Sequence, residues 1–133
     1  MIEYKKGGSK KYVLTKMVCI YTKIKPKHNI FCDYARLFTN GYLVIFEGYE
    51  WDGPSGPAID TDTFMRGSLV HDLLYELLRD GWFGDGFWER AKWRLYADNE
   101  MFRQCGKGSH KMMLPRRIWT WLGVRLGGFW SAR

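Results

Sequence analysis

The hydrophobic pattern changes its period about halfway along the chain. The segments YVLTKMVCIYTKI, FCDYARLF and YLVIFEGY, all between residues 12 and 50, are rich in the β-branched and aromatic residues that favour strands. Asn40-Gly41 separates two of them and predicts a type I′ hairpin turn. After a Gly/Pro loop at residues 51–61, apolar residues recur at helical spacing over roughly 62–79, 87–105 and 115–127. The pattern predicts an α+β fold, in which an antiparallel β-hairpin or small sheet precedes three helices.

Length and composition predict how these elements are organised. A chain of 133 residues with 46% hydrophobic and 17% aromatic residues is expected to form one domain with a compact core. Within residues 1–133 we expect a flexible basic arm at 1–11, a β-rich part at 12–50, the loop at 51–61 and a helical part at 62–127.

The charge and the cysteines bear on partners and location. A formal net charge of +7 suits an anionic surface, such as phospholipid headgroups. We expect no specific nucleic-acid recognition, because no recognised binding signature is present. Three cysteines without metal-binding spacing argue against a small disulfide scaffold. No apolar run approaches the roughly 20 residues of a membrane span.

Two predicted helices each place an ionisable residue on their apolar side. At about 100° per residue, His71 shares a face with Leu74 and Leu78, and Asp72 lies at the edge of that face. Asp98 falls on the apolar stripe of the next helix, where an unpaired carboxylate would be costly. The short connection between the helices favours antiparallel packing. We therefore predict a hydrogen bond from the His71 ring to Asp98, which would leave the other ring nitrogen free to act as a general base, with Tyr75 nearby.

The loop WDGPSGP suggests a metal site. Gly53 and Gly56 permit backbone conformations that turn carbonyl groups inward, and carbonyls with a carboxylate suit Ca²⁺. Asp72 is the predicted side-chain ligand and Asp52 a second candidate. A turn leaving the sheet would account for the same loop without a metal.

The third predicted helix is open to two interpretations. Its apolar residues fall within an arc of roughly 160°, flanked by arginines, as expected of an interfacial helix on anionic lipid. The alternative is a helix that closes the core over the other two. The candidate surface residues are Arg116, Arg117, Trp119, Trp121 and Arg125.

Over roughly residues 40–128 the chain resembles an uncharacterised family of tailed-phage and prophage proteins. The resemblance implies a phage or prophage origin and no particular activity. It rests on the loop from Gly48-Tyr49 to Asp52-Gly53-Pro54-Ser55-Gly56-Pro57, on His71-Asp72-Leu73-Leu74-Tyr75, on Ala97-Asp98 with Phe102, and on PRRIWTWLGVRLGG.

Residues 48–105 also resemble phospholipases of the A-two class, particularly the parvoviral and bacterial types. The resemblance implies that His71 is the catalytic base, Asp72 the calcium ligand, Tyr75 a supporting tyrosine and Asp98 the aspartate that orients the histidine. The stretch from Gly53 to Pro57 would correspond to the calcium loop. The disulfide pair of the secreted members is absent, and Trp51-Asp52 stands where a simpler glycine-rich loop is expected.

Two classes of function follow. The first is a calcium-dependent hydrolase of phospholipids or other acyl esters. The second is a phage structural, tail or assembly protein in which the His-Asp-Asp cluster is architectural and the partners are other phage proteins. Either would be found in the host cytoplasm or the virion.

Overall fold

The computed structural model describes residues 2–53, 62–107 and 112–131. The chain divides into two compact units, Met1–Ser55 and Gly56–Arg133. The first unit carries the β-strands and the second carries the helices, which confirms the predicted α+β class. Gly56 and the rest of the loop at 54–61 lie outside the described residues.

Short antiparallel strands build the first unit. One sheet has the order β1-β2-β7 and the other the order β3-β6-β5-β4. Alternate residues of β6 are buried, as expected of strands with one face in a core: Leu43 and Ile45 have no exposed surface. The strands are β1 Tyr4–Lys6, β2 Tyr12–Leu14, β3 Val18–Tyr21, β4 Ile30–Phe31, β5 Ala35–Leu37, β6 Tyr42–Ile45 and β7 Glu50–Trp51.

The start of the chain is more ordered than the sequence suggested. Residues 1–11 were expected to form an arm, but β1 pairs with β2 and places Tyr4 opposite Leu14. The Tyr4 ring also packs edge-on against Tyr12, with 5.4 Å between the ring centroids. Backbone pairing and aromatic packing, which a basic composition does not reveal, hold this segment.

The hairpin predicted at Asn40-Gly41 is present, but its turn type was predicted wrongly. β5 and β6 are its two strands. Gly41 has φ +92°, whereas Asn40 does not have the positive φ that a type I′ turn requires. The Gly41 amide donates to the Phe38 carbonyl at 2.9 Å. These features fit the longer hairpin loop in which a glycine follows the turn in the left-handed region.

Three helices form the second unit: α1 Asp62–Arg79, α2 Phe87–Cys105 and α3 Leu114–Ser131. The first two agree with the predicted bounds, and the third begins one residue earlier and ends four residues later than predicted. The interior of α1 is almost wholly buried because apolar side chains occur on several of its faces. The side chains with at most 1% exposure are Met65, Leu69, Val70, Leu73, Leu74, Leu77 and Leu78.

The contacts along α1 and α2 show that the two helices are antiparallel. Arg66 near the start of α1 donates to the Gln104 carbonyl near the end of α2, at 3.0 Å. At the opposite end, Arg90 donates to the Leu78 carbonyl at 3.4 Å. Gly67 permits a close approach, because a Cβ atom there would lie 2.4 Å from the Cys105 sulfur. This pairing brings the middle of α1 against the middle of α2.

Candidate functional site

A carboxylate without solvent exposure lies at the centre of the helical unit. Asp98 is on α2, one position after Ala97 and three before Met101, both buried. It has 0% exposed surface, so its charge must be balanced by donors from the protein. α1 and α3 both supply such donors.

Two side chains of α1 share one oxygen of Asp98. The His71 Nε2 atom lies 2.7 Å from Asp98 Oδ1, and the Tyr75 hydroxyl donates to the same oxygen at 2.6 Å. His71 and Tyr75 are four residues apart and so lie on one face of the helix. Their rings pack at 4.1 Å between centroids. The hydrogen bond predicted between His71 and Asp98 is thus confirmed.

The third helix occupies the other oxygen of Asp98. Arg125 Nη1 donates to Asp98 Oδ2 at 2.8 Å. One turn earlier on α3, the Trp121 indole donates to Asn99 Oδ1 at 2.9 Å. Asp98 therefore accepts hydrogen bonds from α1 and α3, and the cluster of His71, Tyr75, Asp98 and Arg125 joins all three helices. We call it the Asp98 cluster.

The second ring nitrogen of His71 faces a different carboxylate. Nδ1 lies 3.7 Å from Asp72 Oδ1, which is beyond ordinary hydrogen-bond length. The Asp72 side chain is 30% exposed, whereas that of His71 is 9% exposed and that of Asp98 is fully buried. With Asp98 accepting the proton on Nε2, the neutral ring carries its lone pair on Nδ1.

The protein environment shifts the pKa values of two side chains in the Asp98 cluster, His71 and Tyr75. Burial lowers the pKa of His71, but interactions with the carboxylates of Asp72 and Asp98 raise it by more, and the net shift is upward. Burial, together with the Asp98 charge, raises the pKa of Tyr75. Tyr75 is therefore a neutral donor at physiological pH, and His71 is a stronger base than a free imidazole.

The predicted metal ligands are distributed over both units. Asp72 belongs to the second unit, whereas Asp52 and Gly53 belong to the first, where Gly53 has φ +76°. Gly56 is outside the described residues. Within residues 2–53, 62–107 and 112–131, no group of three or more His, Cys, Asp or Glu side chains is placed to hold a metal ion. Asp72 still supplies the kind of oxygen that Ca²⁺ takes, and backbone carbonyls supply many calcium ligands in proteins.

The candidate surface residues of α3 fall on two sides of the helix. Trp119 is 76% exposed, whereas Arg125 and Trp121 contact α2 as described. The Arg116 and Arg117 guanidinium groups lie over the rings of Phe64 and Phe102, respectively. Along the described part of the chain, no helix is both long and apolar enough to cross a bilayer.

Arg125 is the member of the Asp98 cluster whose role the sequence did not predict. It was grouped with the arginines that flank the third helix. The signal was present, since Arg125 follows Trp121 by four residues and so shares its face. A buried carboxylate also needs a nearby cation, and the helix wheel of α3 could have been searched for one.

No family model matches the chain, and neither the curated proteins nor the solved structures compared with it show significant similarity. The resemblances to the phage family and to the phospholipases stay predictions.

Proposed function

We propose that this protein is an acyl-ester hydrolase in which His71 is the general base. The observation that carries the proposal is the bonding of the His71 ring. Nε2 is held by a fully buried carboxylate, and Nδ1 is directed toward the partly exposed Asp72. General-base catalysis requires a histidine fixed in one tautomer and a second ring nitrogen that water can reach, and we propose that Nδ1 is this nitrogen. The resemblance to phospholipases supports a phospholipid, or another acyl ester with an anionic headgroup, as substrate.

The reaction would proceed through a water molecule. His71 Nδ1 takes one proton from water as the water oxygen bonds to the ester carbonyl carbon. The tetrahedral intermediate then breaks its bond to the alcohol oxygen, and the proton on Nδ1 passes to that oxygen. Asp98 stabilises the imidazolium formed between the two steps, and Tyr75 and Arg125 hold Asp98 in place.

Calcium is part of the proposal, with Asp72 as its side-chain ligand. A bound cation would supply positive charge for the developing oxyanion. Asp72 fits this role because it is partly exposed and next to the basic nitrogen. The further ligands predicted from the sequence, Asp52, Gly53 and Gly56, stay predictions.

Release of fatty acid from phospholipid vesicles is the experiment that tests the enzyme. Vesicles of mixed phosphatidylcholine and phosphatidylglycerol, with a soluble short-chain ester alongside, would be incubated with protein in calcium or in chelator. We expect release that depends on calcium and is lost in His71→Gln. No release above the His71→Gln level on either substrate would contradict the proposal.

Calcium should raise the thermal stability of the wild-type protein. A ligand that binds only the folded state stabilises it by about 2.7 kcal/mol at a concentration 100 times its dissociation constant. We expect the gain in melting temperature to disappear in Asp72→Asn and to persist in Asp85→Asn, because Asp85 is an exposed carboxylate on the connection between α1 and α2. An equal gain in both variants would remove Asp72 from the metal site.

The second candidate function is that of a phage structural, tail or assembly protein. It is favoured by a specific observation: both oxygens of Asp98 are hydrogen-bonded and the carboxylate is fully buried. Such a network can fix the register of three helices without any chemistry. In this case the fatty-acid assay gives no release, and calcium leaves the melting temperature unchanged. For either function we propose a phage or prophage origin and a place in the host cytoplasm or the virion.

A further inference from the structure

The third helix turns apolar side chains toward solvent. Four of them, which we call the α3 outer face, are well exposed: Ile118 at 44%, Trp119 at 76%, Leu122 at 39% and Leu126 at 81%. With Pro115 and Gly123 they lie within an arc of about 140°. Among the described side chains of α3, none in this arc is charged. A contiguous apolar strip of this kind marks an interaction surface.

The polar side chains of α3 lie on the side that faces the other helices. Arg125 and Trp121 bond to Asp98 and Asn99 of α2. On the same side of the helix, Val124 packs against the core formed by Phe64, Met101, Cys105 and Met112. The helix thus fixes itself to the unit by one side and leaves its most apolar side uncovered. This is the reverse of the usual arrangement for a surface helix.

The charge around the α3 outer face indicates what covers it. Glu100 is the last acidic residue of the chain, and the residues after it include only basic charges. Two half-buried arginines lie about 20° outside the ends of the arc: Arg125, which is bonded to Asp98, and Arg116. Two copies packed face to face through this strip would bring their Arg116 charges close together, which opposes self-association. The basic residues after Glu100 are Arg103, Lys107, Lys111, Arg116, Arg117, Arg125 and Arg133.

The chemistry of the strip favours lipid over a protein partner. Protein interfaces carry about one hydrogen bond per 100–200 Å². The side chains of the α3 outer face offer a single polar group, the indole N–H of Trp119. An indole beside aliphatic residues, with arginine close by, is the arrangement of helices that lie at the boundary between headgroups and acyl chains.

We propose that α3 is an interfacial helix that places Ile118, Trp119, Leu122 and Leu126 in the surface of an anionic membrane. Arg116 would then meet lipid phosphate. α3 lies outside the residues that resemble phospholipases, and this inference does not depend on hydrolysis by the Asp98 cluster. Because Arg125 joins α3 to Asp98, the same helix connects the membrane surface to the proposed active site.

Vesicle co-sedimentation tests the proposal, with chelator present and in the His71→Gln background so that hydrolysis has no influence. Vesicles of pure phosphatidylcholine are compared with vesicles that also contain phosphatidylglycerol. Trp119→Gln and Leu126→Gln remove apolar groups that are exposed and so should not unfold the protein. Trp88→Gln is the matched control, because Trp88 on α2 is 79% exposed and Trp119 is 76% exposed.

We expect the parent protein to bind the anionic vesicles. The double variant Trp119→Gln/Leu126→Gln should bind at least about tenfold more weakly, because a loss of about 1.4 kcal/mol of apolar burial corresponds to a tenfold change in affinity. Trp88→Gln should bind as the parent does. No binding to anionic vesicles would overturn the proposal, as would equal losses in the Trp88 and Trp119 variants. Self-association that these α3 substitutions abolish, without vesicle binding, would assign the face to a second copy instead. If the wild-type protein bound vesicles but released no fatty acid, the membrane-binding inference would stand and only the proposed hydrolase would be contradicted.

Discussion

Replacing His71 with Gln is expected to lower the rate of ester hydrolysis by about 100-fold or more, the usual contribution of a general base. The amide of Gln can still donate to Asp98, so the buried carboxylate keeps a partner and the fold should be retained. Gln has no basic nitrogen to take the place of Nδ1. The loss should therefore appear in kcat on the soluble short-chain ester, where membrane binding plays no part.

The matched control for this variant is His28→Gln. His28 is exposed and is not a member of the Asp98 cluster, so the same chemical change is made outside the cluster. We expect its kcat to equal that of the wild type. If His71→Gln retained the wild-type rate while folded, His71 could not be the base, and any hydrolysis would have to come from another residue.

Replacing Asp98 with Ala is expected to reduce the free energy of unfolding by about 3–5 kcal/mol, the usual cost of removing one partner from a buried ion pair. The variant leaves the Arg125 charge without its carboxylate and takes the acceptor from His71 and Tyr75, both nearly buried. Each buried donor without a partner costs about 1–3 kcal/mol. Urea unfolding followed by circular dichroism measures the change.

Asp85→Ala is the control for this experiment, because an exposed carboxylate should change the free energy of unfolding by no more than about 0.5 kcal/mol. An Asp98→Ala protein as stable as Asp85→Ala would mean that the Asp98 cluster does not stabilise the three helices. The same result would contradict both candidate functions, since both depend on this contact.

The pairing of His71 with Asp98 could be predicted from the sequence because helical periodicity is strict. Polar side chains on the apolar sides of adjacent antiparallel helices have few hydrogen-bond partners except each other, and a buried carboxylate needs a donor. The short connection between α1 and α2 determined their direction. The bounds of α1 and α2 could also be predicted, because glycines at 81, 84, 86 and 106 interrupt the helical pattern of apolar residues.

Features that depend on distant contacts were predicted less well. Which side of α3 faces α2 depends on Arg125 finding Asp98, 27 positions away in sequence, and a single helix wheel does not contain that information. The order of residues 4–6 depends on pairing with β2, although their own composition is basic. The Asn40-Gly41 dipeptide favours a two-residue type I′ turn, but the hairpin loop here is longer, and loop length determines the turn type.

The protonation of the neutral His71 ring tests the central claim most directly, because the base can act only if its proton is on the nitrogen that faces Asp98. Long-range nitrogen–proton NMR of the imidazoles reports this, with the His71 signals assigned by their absence in His71→Gln. The spectrum is recorded above the pKa of His71, where the ring is uncharged. We predict a proton on Nε2 and a bare Nδ1. A proton on Nδ1 would contradict the account, since the nitrogen directed toward Asp72 could then accept nothing from water.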